Sequence, residues 1–420
     1  MIRISFRTLL ILTSLFVTSL HAVALEHNSN IRGVALSSTR NPLLYPWVEL
    51  AELTTTDTNA FVGAAMAVAG NTVAASGDFQ ATGAVYVYVK PASGWTNGTQ
   101  VAKLTSSTGL SLGYSVAISP DANTIVAGDP STGADNNGAV YVFVKPAGGW
   151  KDMTETAKLT ISGMPKAIAL GTSVGISGNT IVAGAAGFGS GTEGAAYVFV
   201  KPAGGWKNAT QNATLTPSNR ASNDGFGYSI SISGNTVAVG SIQVDAGPGA
   251  VYVFVKSASG WKNTQEAAEL TASDGVENDD LGAALSITGE TIAAGAPGHG
   301  AGAAYVFVKP ASGWVNATQN AELSSSHTSN PEALGKSLSM SGNTIVAGAD
   351  YMNDEAGRAF VFVQPAGGWT NMTETSMLRA PQVQIKEYFG ESVAISQNTI
   401  AVGAPGDDPA GVGAVYIFGK

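Results

Sequence analysis

A thirteen-residue phrase, Gly138–Trp150 (GAVYVFVKPAGGW), recurs with light edits at Gly83–Trp95, Gly194–Trp206, Gly249–Trp261, Gly302–Trp314 and Gly357–Trp369. A seventh copy opens at Gly413 and stops at Lys420, before its turn and tryptophan. The first glycines stand 55, 56, 55, 53, 55 and 56 residues apart, so seven units tile most of the 420 residues. A fixed period of this length marks a solenoid, a propeller or an array. It overrides the two or three ordinary domains that length alone suggests.

Each unit resolves into four short apolar runs. In the second unit they are Leu112–Ser119, Thr124–Gly128, Gly138–Val144 and, beyond the tryptophan, the stretch ending at Ala157-Lys158-Leu159. Gly70-Asn71, Gly178-Asn179, Gly234-Asn235 and Gly342-Asn343 join the first run to the second. Gly-Asn between apolar runs is a tight-hairpin signal, because such turns need positive φ. The third run is apolar on both faces, with Val140, Val142 and Val144 on one and Tyr141 and Phe143 on the other. A sheet with one wet face would alternate apolar and polar residues, so each sheet must have a neighbour on either side. Small residues at the end of the second run leave room for the rings. The fold class expected is all-β, a seven-bladed β-propeller of four-stranded antiparallel blades. A parallel β-helix is the rival, but it needs far shorter coils and does not favour hairpins.

The seventh unit lacks its tail, and the tail stands at the other end of the chain. From Trp95 on, each tryptophan is followed seven residues later by a short strand opening at Ala102, Ala157, Ala213, Ala268, Ala321 or Ser376. Ala51-Glu52-Leu53 is the same element. Trp47–Leu53 is expected to pair with Ala414–Phe418, building the last blade from both chain ends and covering an edge that would otherwise invite aggregation.

Residues 1–24 read as a secretory signal peptide: Arg3 and Arg7, the apolar run Thr8–Leu20, then Ala22-Val23-Ala24 as a small-x-small cleavage site. The run is short for a membrane anchor, the alternative. Residues 25–46 form a polar arm or linker, and 47–420 form the propeller. The expected location is therefore secreted: extracellular, or periplasmic in a Gram-negative host. Without Arg3 and Arg7 the chain would carry 19 basic against 30 acidic side chains. That acidity argues against nucleic acid and anionic lipid as partners, and no membrane insertion is expected. There is no cysteine, so disulfides and thiolate metal sites are excluded. A monomer is expected.

These units resemble the FG-GAP repeats of the integrin α-chain propeller. The namesake pieces are Phe226-Gly227 and Phe389-Gly390 before the first strand, and Gly295-Ala296-Pro297 and Gly403-Ala404-Pro405 after the second. Other units carry looser versions, such as Leu112-Gly113, Leu281-Gly282, Gly128-Asp129-Pro130 and Gly348-Ala349-Asp350, and the resemblance covers all seven units, roughly residues 47–420. It implies a propeller and a ligand-binding face formed by the loops after the second strand and between blades. Family members often carry an Asp-rich calcium loop between strands one and two. Here that place holds the Gly-Asn hairpin or near variants, which cannot supply six to eight oxygens. No metal and no cofactor are expected.

The links between second and third strands and between blades differ from unit to unit and are acidic, whereas the opposite face carries nearly uniform lysine-bearing turns. Variable loops on a rigid scaffold are the usual place for binding. Candidate ligand-binding residues are Asp274, Glu277, Asp279, Asp280, His299, Asp350, Asp354, Asp407 and Asp408. His299 and His327 lie in neighbouring units and are candidates for one shared site, though without a third ligand in phase. Phe61, Phe79, Phe188, Tyr351 and Tyr388 are scattered candidates for a carbohydrate-stacking surface. No catalytic constellation stands out. Asn97, Asn208, Asn212, Asn316 and Asn371 fit the N-glycosylation pattern. Most recur two residues after a tryptophan, so turn geometry accounts for them without a glycan. The function expected is a secreted binding or adhesion module with an extracellular protein or carbohydrate ligand. The alternatives are an extracellular enzyme acting on polysaccharide through the same loops, and a structural component.

Overall fold

The structure, a computed structural model, describes residues 47–77, 82–133, 137–163, 168–186, 193–219, 224–242, 247–327, 333–351, 356–381, 387–406 and 411–420. These fall in the compact unit Tyr45–Lys420. The signal peptide and arm expected within residues 1–46 lie outside the described residues, and so do Asp354, Asp407, Asp408, Phe79 and Phe188.

Seven antiparallel sheets form, one per repeat. In the first blade the strands run outward from the axis as Met66–Ala69, Thr72–Gly77, Ala84–Val89 and Ala102–Thr105. The first two are joined at Gly70, whose φ of 54° supplies the left-handed first corner that a two-residue hairpin of this hand requires. In the seventh unit Gln397 takes that conformation (φ 55°).

The expected closure is present. Val48–Thr54 pairs antiparallel with Ala414–Gly419, with Leu53 opposite Val415 and Glu49 opposite Phe418. Val48–Thr54 therefore completes the blade that Ala414–Gly419 belongs to.

The core lies between blades. Seven apolar clusters form, each combining side chains of adjacent blades. One joins Val140, Val142 and Leu159 of the second blade to Ile181, Phe199 and Trp206 of the third. Trp206, 7% exposed, is thus a wedge in an interface and not a cover on a blade's outer edge. Trp95, Trp150, Trp261, Trp314 and Trp369 sit alike in five others, and the half-buried Trp47 packs on the cluster between the sixth and seventh blades.

The Phe-Gly and Gly-Ala-Pro pieces meet across these interfaces. A Cβ on Gly403 would stand 2.0 Å from the carbonyl oxygen of Gly63, where the seventh blade meets the first. Ser392 Oγ donates to that same oxygen at 2.6 Å. Only glycine permits so close a backbone approach. The residue before each Phe-Gly-type glycine (Val62, Leu112, Leu170, Phe226, Leu281, Leu334, Phe389) is fully buried.

The blades have one feature beyond the four-stranded expectation. Five sheets gain a fifth, two-residue strand, paired parallel to the outer edge and donated by the next unit. Met153–Thr154, for example, pairs with Leu104–Thr105 of the first blade. The residue ahead of this strand acts as a clamp. The side-chain oxygens of Asn97, Asp152, Asn208, Asn263, Asn316 and Asn371 each accept a backbone N–H from the preceding blade's outer strand, at 2.8–3.0 Å. Three residues on, Glu155, Gln211, Glu266, Gln319 and Glu374 each accept a second backbone N–H. The recurrent Asn-x-Thr pattern thus has a structural role that binds blade to blade. Asn212 differs: its Oδ1 accepts from Val200 N within its own unit.

Candidate functional site

Where the inner strands begin, each unit places one side chain at the mouth of the central channel: the residue directly after the Phe-Gly-type glycine. Around the ring these are Ala64, Tyr114, Thr172, Tyr228, Ala283, Lys336 and Glu391. Six of them, all but Ala283, line a cavity of about 460 Å³. Below it the inner strands enclose a narrower space of about 270 Å³. Order around the ring sets the two tyrosines, from the second and fourth units, across from adjacent Lys336 and Glu391 of the sixth and seventh. Tyr114 and Tyr228 are 53% and 37% exposed, so their faces are open to a ligand.

Lys336 is held by two carboxylates. Its Nζ donates to Asp350 Oδ2 and, at 2.8 Å, to Glu391 Oε2, and it lies 4.9 Å from the ring centre of Tyr351. Burial works against the lysine charge, but the two carboxylates outweigh it and leave its pKa raised. Asp350 is fully enclosed, its Oδ1 without a hydrogen-bond partner, and burial with Glu391 alongside pushes its pKa up to about 7. Burial acts on Glu391 too, but its neighbours, Lys336 among them, bring its pKa below the usual value. Asp350 is thus not the solvated loop carboxylate that its acidic surroundings in sequence suggest. It positions Lys336, while Lys336 and Glu391 reach the cavity.

The other candidates gather in the fifth blade. Asp274, Glu277, Asp279 and Asp280 lie in the link entering it, and His299 in the loop between its second and third strands. Asp279 is buried, with Oδ2 accepting from Val276 N and standing 2.9 Å from His299 Nδ1. Asp274 Oδ1 accepts from the Tyr305 hydroxyl at 3.1 Å, and its Oδ2 is 3.8 Å from His299 Nε2. Burial lowers the pKa of His299, but Asp279 and Asp274 outweigh it and leave it raised. Burial, with Asp279 beside it, raises the pKa of Asp280. Glu277 is exposed. His299 and His327 do not share partners: His327 lies against Glu374 and Phe360 in the next unit's position.

Of the aromatic candidates, Tyr351 belongs to the axial cluster, 51% exposed beside Lys336. Tyr114 and Tyr228 are exposed rings lining the axial cavity that the sequence reading missed. The signal was available: a position that changes from unit to unit, directly after a glycine that does not.

Four segments, 153–199, 209–254, 264–307 and 372–418, match the FG-GAP repeat family. Each runs from the clamp strand of one unit to the end of its next unit's third strand, or close to it. No curated protein matches the chain.

Proposed function

Taking as premise that this chain carries FG-GAP repeats on a closed seven-bladed propeller, we propose that it is a secreted binding module whose ligand site is the axial cavity, and that the ligand is the end of a carbohydrate chain. The carrying observation is the composition of the seven axial positions: two half-open tyrosines facing a lysine and a glutamate across about 460 Å³. Tyrosine rings receive the C–H faces of a sugar, while a fixed ammonium and carboxylate sort its hydroxyls. Lys336 is pre-positioned by its buried partner Asp350, so little side-chain freedom is lost on binding. The reading of residues 1–24 as a signal peptide supports export, and N-terminal sequencing of the exported protein tests it.

The test of the ligand is a glycan array probed with the mature protein, then with Tyr114→Ala/Tyr228→Ala. Binding that is lost in the double variant supports the reading. Absence of any glycan binding, or binding untouched in the double variant, overturns it. The same samples address the polysaccharide-enzyme alternative, since release of shortened oligosaccharides would show turnover.

A further inference from the structure

We propose that Asp274, His299 and Glu322 form a binding site for a divalent transition-metal cation such as Zn²⁺, separate from the axial cavity. One donor atom from each lies within 4.8 Å of the others. His299 is prepared for such a role. Buried Asp279 can only accept at Oδ2, so the proton of the neutral ring belongs on Nδ1, and Nε2 presents its lone pair toward Asp274. A carboxylate behind a ligating imidazole is the usual arrangement that fixes the tautomer of a metal-bound histidine. The Tyr305 hydroxyl similarly holds Asp274 from its other oxygen. The fifth blade thus supplies one nitrogen and two carboxylate oxygens, with Asp274 open to solvent for a further ligand. This donor set suits Zn²⁺ and its neighbours, and is too small and too nitrogenous for calcium. The sequence reading, which set aside thiolate sites, calcium loops and a His299–His327 pair without a third ligand, expected no metal.

The repeat itself supplies an independent comparison. At the matching positions of the first blade, Lys103 Nζ stands 2.6 Å from Asp57 Oδ2, and Tyr86 donates to the same oxygen at 2.7 Å. In the second blade Lys158 Nζ is 2.9 Å from Thr108 Oγ1 and 5.5 Å from the Tyr141 ring centre. Twice, therefore, the architecture sets a fixed cation between the outer strand and the entering link. In the fifth blade the lysine's place is taken by Glu322, opposite Tyr305 as Lys103 is opposite Tyr86. That exchange turns a cation position into a site with three carboxylates around one imidazole. Among the described residues, His299 is the one basic side chain paired with Asp274.

The experiment is equilibrium dialysis of the full chain against Zn²⁺ alone, with Co²⁺ substitution read by its visible absorption. One zinc per chain is expected, falling at least tenfold in affinity in His299→Ala and in Glu322→Gln. His327→Ala, which leaves the site untouched, should bind as the parent does. Glu322→Lys should rebuild the first blade's arrangement, keeping the circular dichroism spectrum and binding no zinc. No zinc uptake by the parent chain, or uptake unchanged in His299→Ala and Glu322→Lys, overturns the proposal.

Discussion

At the scale of residues, two side chains show how far burial changes what a group does. Trp206 stands between the second and third blades with its indole N–H unpartnered, so its contribution is almost wholly packing. Trp206→Ala should destabilise by about 3–5 kcal/mol, read as a lower denaturant midpoint; a midpoint equal to the parent's would place the ring in solvent. Asp350 is the second. Its folded-state pKa, about 7, lies above the unfolded value, so the fold favours the protonated form. Its stabilising contribution is therefore complete below about pH 4 and is lost as pH rises through about 7. Carbon-detected NMR should show one carboxyl titrating near neutrality, absent in Asp350→Asn. All carboxyls titrating below pH 5 would contradict the enclosure of Asp350.

At the scale of elements, the clamp strand ties each blade to the next by short side-chain bonds. Asn208 Oδ1 holds Lys158 N, and Gln211 Oε1 holds Ser162 N. Asn208→Ala should cost about 0.5–1.5 kcal/mol and speed hydrogen exchange at the Lys158 amide. Asn208→Asp should behave as the parent, because Asp152 already fills the same position. Equal protection in the alanine variant would show that the bond contributes nothing. This element was only half legible. Asn-x-Thr recurred visibly, but a two-residue strand has no periodicity to detect, and its partner lies some 50 residues back (48 or 49 for the described clamps of unit two). The hairpins at Gly70-Asn71 and its three Gly-Asn repeats were legible in full, since they specify their own φ, whereas Ala122 and Gln397 take the left-handed corner without glycine.

At the scale of the molecule, the outer edge of the sixth blade stands apart. Its sheet has four strands, as the third blade's does, but the third keeps a single bridge from Leu215 to Thr264 of the next unit, whereas after Trp47 the chain runs directly into Val48–Thr54, the seventh blade's own outer strand. Closure rests instead on Val48–Thr54, on Ser392 bonding to Gly63, and on Trp47 beneath Lys420. A chain beginning at Trp47 should keep the association state and the stability of the longer one. A chain beginning at Thr55 exposes the edge Ala414–Gly419 and should aggregate. Light scattering and thermal melts distinguish the two, and a stable monomer from the shorter chain would refute two-ended closure. A circular permutant joining Lys420 to Trp47 and opened at Lys256–Gly260 should fold, since every sheet is retained.

The repeat by itself determined the ring of seven, the hairpins, the buried third strands and the closing blade. All of these follow from local period, turn chemistry and the misplaced Ala51-Glu52-Leu53. Tertiary structure alone decided the sites. The axial cavity collects one residue from each of six units, and Ser392 meets Gly63 across 329 residues of chain. Asp350 looks like any loop carboxylate until Lys336 lies over it, and Glu322 like any outer-strand residue until His299 turns toward it. A local pattern can say that each position recurs. Only closing the ring brings the exceptions at those positions together, because their separation in sequence is erased by the sevenfold geometry.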